Sequence, residues 1–140
     1  MFERYNLPAR RAIVFALREA RNLRSPWILT EHLLLGILDE DRTAAMRLGI
    51  GALEAIRKEL EQLAPPDRER IPISAEDLPL AQDSQSALMF AAQEADALKH
   101  QEIETPHLLL GLLRVEDCMA AELLRKHGME YQSYRESLTN

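Results

Sequence analysis

Between residues 7 and 23 the apolar side chains Ala12, Phe15, Ala16, Ala20 and Leu23 recur at helical spacing, which predicts a helix with one apolar face. Pro8 falls in its first turn, where a missing N–H leaves no gap in the hydrogen-bond ladder. Ser25-Pro26 interrupts the pattern, and Thr30 opens a second helix through Leu38. A short third helix is expected over 43–48, stopped by Gly49. A fourth, over 51–63, turns Leu53, Ile56, Leu60 and Leu63 inward and sets Glu54 four residues before Lys58 as an exposed pair. From Ala64 to Pro79 the period is lost, and four of the chain's seven prolines (65, 66, 72 and 79) fall there. Helices return over 82–98, 105–114, 118–127 and 130–138, with Gly128 closing the third of them. No strand alternation interrupts this series, so the expected fold class is all-α, with eight helices.

The pattern is written twice. Residues 12–38 align with 87–113 without a gap and share 14 identities in 27 positions, where chance supplies about two. Thr30-Glu31-His32-Leu33-Leu34-Leu35-Gly36 returns as Thr105-Pro106-His107-Leu108-Leu109-Leu110-Gly111. The chain is therefore expected to fold as one domain of two pseudo-symmetric four-helix halves. Repeat one spans 1–63, a Pro-rich linker 64–80, and repeat two 81–140.

Charge separates the halves. Residues 1–63 carry ten Lys/Arg against nine Asp/Glu, and residues 64–140 carry seven against fourteen, which recovers the net charge of −6. A nucleic-acid binder ordinarily presents a basic domain, so that class is set aside. The single cysteine, Cys118, permits no intramolecular disulfide and no Cys-based zinc site, and at a helix start it reads as a small buried hydrophobe. The opening MFERYNLPARR has no apolar leader core and no apolar run approaches 18 residues, so a cytoplasmic protein with no membrane partner is expected.

Thr30 and Thr105 each stand before an apolar run, as N-caps do. The next residue differs, Glu31 in one copy and Pro106 in the other. Both suit a first helical turn, the carboxylate through the helix dipole and the proline through its fixed φ. Proline cannot, however, supply a charge to a cationic ligand. His32 and His107 admit two readings: a ligand or general base, or a buried histidine bonded to neighbouring backbone. Their retention beside a changed charge favours the structural one.

The duplicated Thr-x-His-Leu-Leu-Leu-Gly, the following Ala44-Ala45 and Ala120-Ala121, and the opening Met-Phe-x-Arg-Tyr together resemble the N-terminal domain of Clp/Hsp100 AAA+ unfoldases, the ClpC type above all. The resemblance covers essentially the whole chain. It implies two four-helix Clp N repeats that recruit substrate or adaptor proteins to a hexameric unfoldase feeding a peptidase. It further implies phosphoarginine sites, where a glutamate meets the guanidinium and the N-terminus of an opposing first helix, with its threonine, receives phosphate. Such a pairing suits both groups.

Carried onto this chain, the resemblance assigns Asn6, Thr30 and Glu31 to one degenerate site: Glu31 stands at the family's glutamate, while Asn6 replaces the threonine. Leu7 and Pro8 also depart, and Pro8 removes a donor. In repeat two Pro106 replaces the glutamate and Ala81 the threonine. At most one phosphoarginine-type site is expected. The chain could be a free-standing domain or the leading part of a longer unfoldase.

No GxxxxGK[ST], HExxH, Ser/His/Asp pattern or four-ligand metal spacing occurs, so no catalytic residue, metal or cofactor is assigned. A cryptic enzyme site would require His32, Glu31 and His107 to converge. Arg10, Arg11, Arg18 and Arg21 crowd the first helix, whereas repeat two has Gln85, Ser86, Gln93 and Asp96. They form either a solvated face or a docking surface for an acidic partner, including the acidic half of another copy in weak self-association. The expected function is a non-catalytic interaction module of Clp protein quality control. The alternative is a regulatory scaffold that binds a peptide or small molecule between the repeats, unrelated to unfoldase docking.

Overall fold

The computed structural model describes residues 2–63 and 78–139. Among these, eight helices follow in order: α1 (Leu7–Asn22), α2 (Thr30–Glu40), α3 (Arg42–Arg47), α4 (Ala52–Leu63), α5 (Gln82–Ala97), α6 (Thr105–Arg114), α7 (Met119–Lys126) and α8 (Tyr131–Ser137). The all-α expectation holds, and every predicted helix is present with its ends moved by no more than two residues. Of the expected linker, residues 64–77 lie outside the described residues. Pro79 and Leu80, at its far end, line up beside Ile28.

Asn6 starts α1 by accepting the Ala9 N–H on Oδ1 at 3.0 Å. The buried stripe of α1 is Ala9, Ala12, Ala16 and Ala20. Small residues there let α2 come in backbone to backbone. A Cβ added to Gly36 would sit 2.2 Å from the Ala12 carbonyl oxygen and 2.8 Å from the Ala16 nitrogen. The same crossing recurs between α5 and α6, where a Cβ on Gly111 would reach 2.1 Å from Ala87 O and 2.9 Å from Ala91 N. The glycine in each LLLG motif is thus a packing requirement.

The leucine triplets have no helical period because α2 and α6 are enclosed on all sides. Every residue from His32 to Leu38 and from His107 to Leu113 is buried. These two helices form the centre, and the others wrap it. Both α1 and α5 end without glycine: Arg24 and Lys99 take the left-handed conformation at φ 56° and 62°. The next amides, of Ser25 and His100, close six-residue turns onto Ala20 and Ala95 at 2.9 and 2.8 Å.

Three local expectations are corrected. Thr30 and Thr105 are the first residues inside their helices, because the histidines cap them instead. Leu29 N–H donates to His32 Nδ1 at 2.9 Å, and Glu104 N–H to His107 Nδ1 at 2.8 Å. Leu63 lies 57% exposed at the end of α4 rather than inward. Glu54 and Lys58 form no ion pair, while Lys126 of α7 reaches Glu59 at 2.9 Å.

Candidate binding site at the junctions between the repeats

The two repeats exchange their leading segments. Asn6 N–H donates to Ile103 O at 3.1 Å and Ile103 N–H to Arg4 O at 2.8 Å, which sets the start of α1 beside the start of α6. Ile28 N–H donates to Pro79 O at 2.8 Å and Ala81 N–H to Ile28 O at 3.0 Å, which sets the start of α5 beside that of α2. Ser84 adds a buried bond from Oγ to Ile28 O at 2.8 Å.

The expected grouping of Asn6 with Thr30 and Glu31 is therefore corrected: Asn6 lies at one junction, Thr30 and Glu31 at the other. A period of 75 residues reveals which positions are equivalent. It does not reveal that each repeat lends its first turn to its neighbour.

At the junction of α2 and α5 a hollow of about 360 Å³ is lined by residues 29–31, 81–83 and 117–119. Glu31, Asp83 and Asp117 bring three carboxylates to its wall, and among the described residues no Lys or Arg lines it. Ala81 leaves the first amides of α5 without a side-chain cap. Thr30 is buried, with its hydroxyl 3.4 Å from Glu31 Oε1 and 3.4 Å from the donating Ala120 N–H. Cys118 caps α7 by accepting the Ala121 N–H on Sγ at 3.4 Å, and burial raises its thiol pKa. It is the small buried residue expected.

The junction of α1 and α6 holds a larger hollow of about 510 Å³, lined by Pro8, residues 40–44, Arg47, residues 104–106, Tyr134 and Leu138. Its charges are mixed, with Arg42 and Arg47 facing Glu40, Asp41 and Glu104. The Arg47 guanidinium lies 5.1 Å over the Tyr134 ring. Asp41 caps α3 through Oδ1 and accepts the Thr105 hydroxyl on Oδ2 at 2.7 Å.

The histidines take the structural reading. Both are buried and each accepts its own helix-start amide. His107 Nε2 also sits 2.8 Å from His100 Nδ1. Burial, then the adjacent His100, pushes the His107 pKa down to about 4. Among the described residues no three His, Cys, Asp or Glu side chains gather as a metal site, and no helix is long and apolar enough to cross a membrane.

The four α1 arginines do not share one environment. Arg10 donates to the carbonyls of Tyr5 and Glu3 at 3.0 and 3.3 Å. Arg11 pairs with Glu40 at 3.2 Å, and Arg18 lies 5.0 Å over the Phe15 ring. Arg21 is half-buried in the last turn, where the helix dipole favours a cation.

Residues 79–140 match the Clp repeat (R) N-terminal domain family. Over 98% of this chain and 93% of the other, the fold matches the N-terminal domain of the Clp protease-associated chaperone ClpD from Arabidopsis thaliana, at a TM-score of 0.75 and 28% identity. The Hsp104 N-terminal domain from Candida albicans has the same fold at a TM-score of 0.75 and 19% identity. In sequence, the ClpA homolog of Cyanidium caldarium is 32% identical over 99% of this chain. The chloroplastic ClpC2 chaperone of Oryza sativa is 32% identical over 96%. This chain spans 16% and 15% of the lengths of those two relatives.

A duplicated helical domain with buried LLLG helices and exchanged leading turns is the Clp-repeat class. The family match falls on the second repeat, and the internal identities carry it to the first. The chain is a Clp N-terminal domain, as its motifs led us to expect.

Proposed function

We propose that this domain is a non-catalytic recruitment module, gathering substrate or adaptor proteins for a Clp-type AAA+ unfoldase in a soluble compartment. The observation that carries the reading is the Glu31 junction, where a carboxylate faces the uncapped start of α5 across an open hollow. A guanidinium suits Glu31, and the α5 amides suit an anion. Asp83 and Asp117 oppose a phosphate there, so the surviving site is degenerate. At the other junction Pro106 supplies no carboxylate, and Asn6 Oδ1 is committed to Ala9. The domain thus keeps at most one phosphoarginine-type site, formed by Thr30, Glu31 and the start of α5 rather than by Asn6.

Amide shifts on titrating phosphoarginine into labelled protein test this, with phosphoserine as control. Shifts clustered at residues 29–31 and 81–84, and lost in Glu31→Ala, support it. A flat response at millimolar ligand removes the phosphoarginine function. Shifts confined to residues 40–47 and 134–138 would favour the alternative, a scaffold binding its ligand in the mixed-charge hollow between the repeats.

A further inference from the structure

The recruitment reading leaves open where a protein partner grips, and α1 offers a surface that neither junction uses in full. Its exposed positions are Leu7, Arg10, Arg11, Val14, Arg18 and Asn22, none of them acidic. Leu7, Arg11, Val14 and Arg18 follow at steps of four, three and four, so they form one ridge along the helix. Leu7 is 58% exposed and Val14 59%. The 16 residues of α1 extend roughly 24 Å at ~1.5 Å per residue, the span of a partner helix of similar length.

The cations on this ridge are not consumed by the fold. Arg10 bonds only backbone carbonyls and Arg18 only an aromatic face, and neither meets a carboxylate among the described residues. Arg11 pairs with Glu40, yet its side chain stays 52% exposed. The equivalent helix α5 carries Gln82, Gln85, Ser86, Met89, Gln93 and Ala97 at the same six positions, with no cation. One helix of the pair therefore folds against the same core without the arginines.

We infer that the α1 ridge docks an acidic amphipathic helix of a partner protein. Its carboxylates, three and four residues apart, meet Arg10, Arg11 and Arg18, and its apolar residues cover Leu7 and Val14. Charge complementarity selects this occupant over a nucleic acid or anionic membrane. Those extended polyanions would also face a domain of net charge −6, whereas a single helix touches the ridge alone. The inference rests on the recruitment reading only in taking the partner to be a protein.

The test is titration of a synthetic acidic amphipathic helix of about 20 residues into the labelled full chain, beside the same peptide with lysine in place of glutamate. Shifts should follow the exposed side of α1, with affinity falling about tenfold as salt rises. Arg10→Gln/Arg11→Ser/Arg18→Gln, which copies the residues of α5, should weaken binding about tenfold or more while circular dichroism stays unchanged. Four results would each overturn the proposal. They are undiminished binding by the triple variant, equal binding of the lysine peptide, no α1 shifts at millimolar peptide, and tighter binding of duplex DNA or phosphatidylglycerol vesicles. Phosphoarginine titrated into the same samples reports on Glu31, so failure of either site is seen independently of the other.

Discussion

Thr105 donates its hydroxyl to Asp41 Oδ2 at 2.7 Å across the boundary between the repeats. The other oxygen of Asp41 holds the Ala44 N–H at 3.0 Å. One carboxylate therefore fixes the start of α3 and the docking of α6 together. The equivalent contact in the other half sets Thr30 against the start of α7, where Cys118 replaces the aspartate and the bond to Thr30 is a backbone amide at 3.4 Å. The duplication kept both junctions but left one charged and short, the other neutral and long.

Thr105→Val should therefore cost about 1.5–3 kcal/mol, the value of a hydrogen bond to a charged acceptor. Thr30→Val should cost less. Urea unfolding of Thr105→Val, Asp41→Ala and the double variant gives the coupling, expected at about 1 kcal/mol. Additive losses would show that the bond contributes nothing beyond the cap.

Gly36→Ala and Gly111→Ala should each destabilise by about 2–3 kcal/mol or more, because the new methyl meets backbone that cannot rotate away. Their near-equal clash distances predict near-equal losses. Thermal unfolding of the two single variants checks this, and a change of less than 0.5 kcal/mol, about what a surface substitution causes, would deny the backbone approach.

What was legible in the sequence was local and periodic: eight helices, their order and the duplication. Leu63 lies outside the core because a periodic pattern says which face is apolar, not where the helix outlasts the core. Thr30 and Thr105 resemble caps because a short hydroxyl before an apolar run is the usual signal, yet each cap position falls one residue earlier, where His32 and His107 accept the N–H of Leu29 and Glu104. The grouping of Asn6 with Glu31 failed for another reason. Neighbours in a repeat's sequence need not share a site when the repeats exchange their first turns, and only the Tyr5–Ile103 and Ile28–Leu80 pairings reveal that exchange.

Glu94 shows how α8 is held. Its buried carboxylate accepts from Arg114 at 3.2 Å, Arg135 at 3.0 Å and the Tyr131 hydroxyl at 2.7 Å. Glu94→Gln keeps the shape and removes the charge, leaving two arginines facing a neutral amide. A loss of roughly 3 kcal/mol follows, reduced by the partial exposure of both arginines. Hydrogen exchange should show residues 131–137 released before the rest of the domain. Uniform acceleration would mean that α8 is held instead by the packing of Tyr134 and its contact with Arg47.

His107 gives the domain a defined acid weakness. Its Nδ1 accepts the Glu104 amide, so its proton sits on Nε2 facing His100, and Glu94 and Arg4 are the other charges near it. The folded pKa of about 4 lies below the ordinary 6.5. Between those values the unfolded chain binds a proton that the folded chain refuses. This contribution is complete above pH 6.5, is lost as pH falls toward 4, and changes no further below that. It amounts to about 3 kcal/mol. His107→Gln preserves a side chain able to accept the amide at the third helical position but does not titrate. Urea unfolding across this window should show the native protein losing its lead over the variant as pH drops. Parallel pH profiles would place the acid sensitivity elsewhere in the fold.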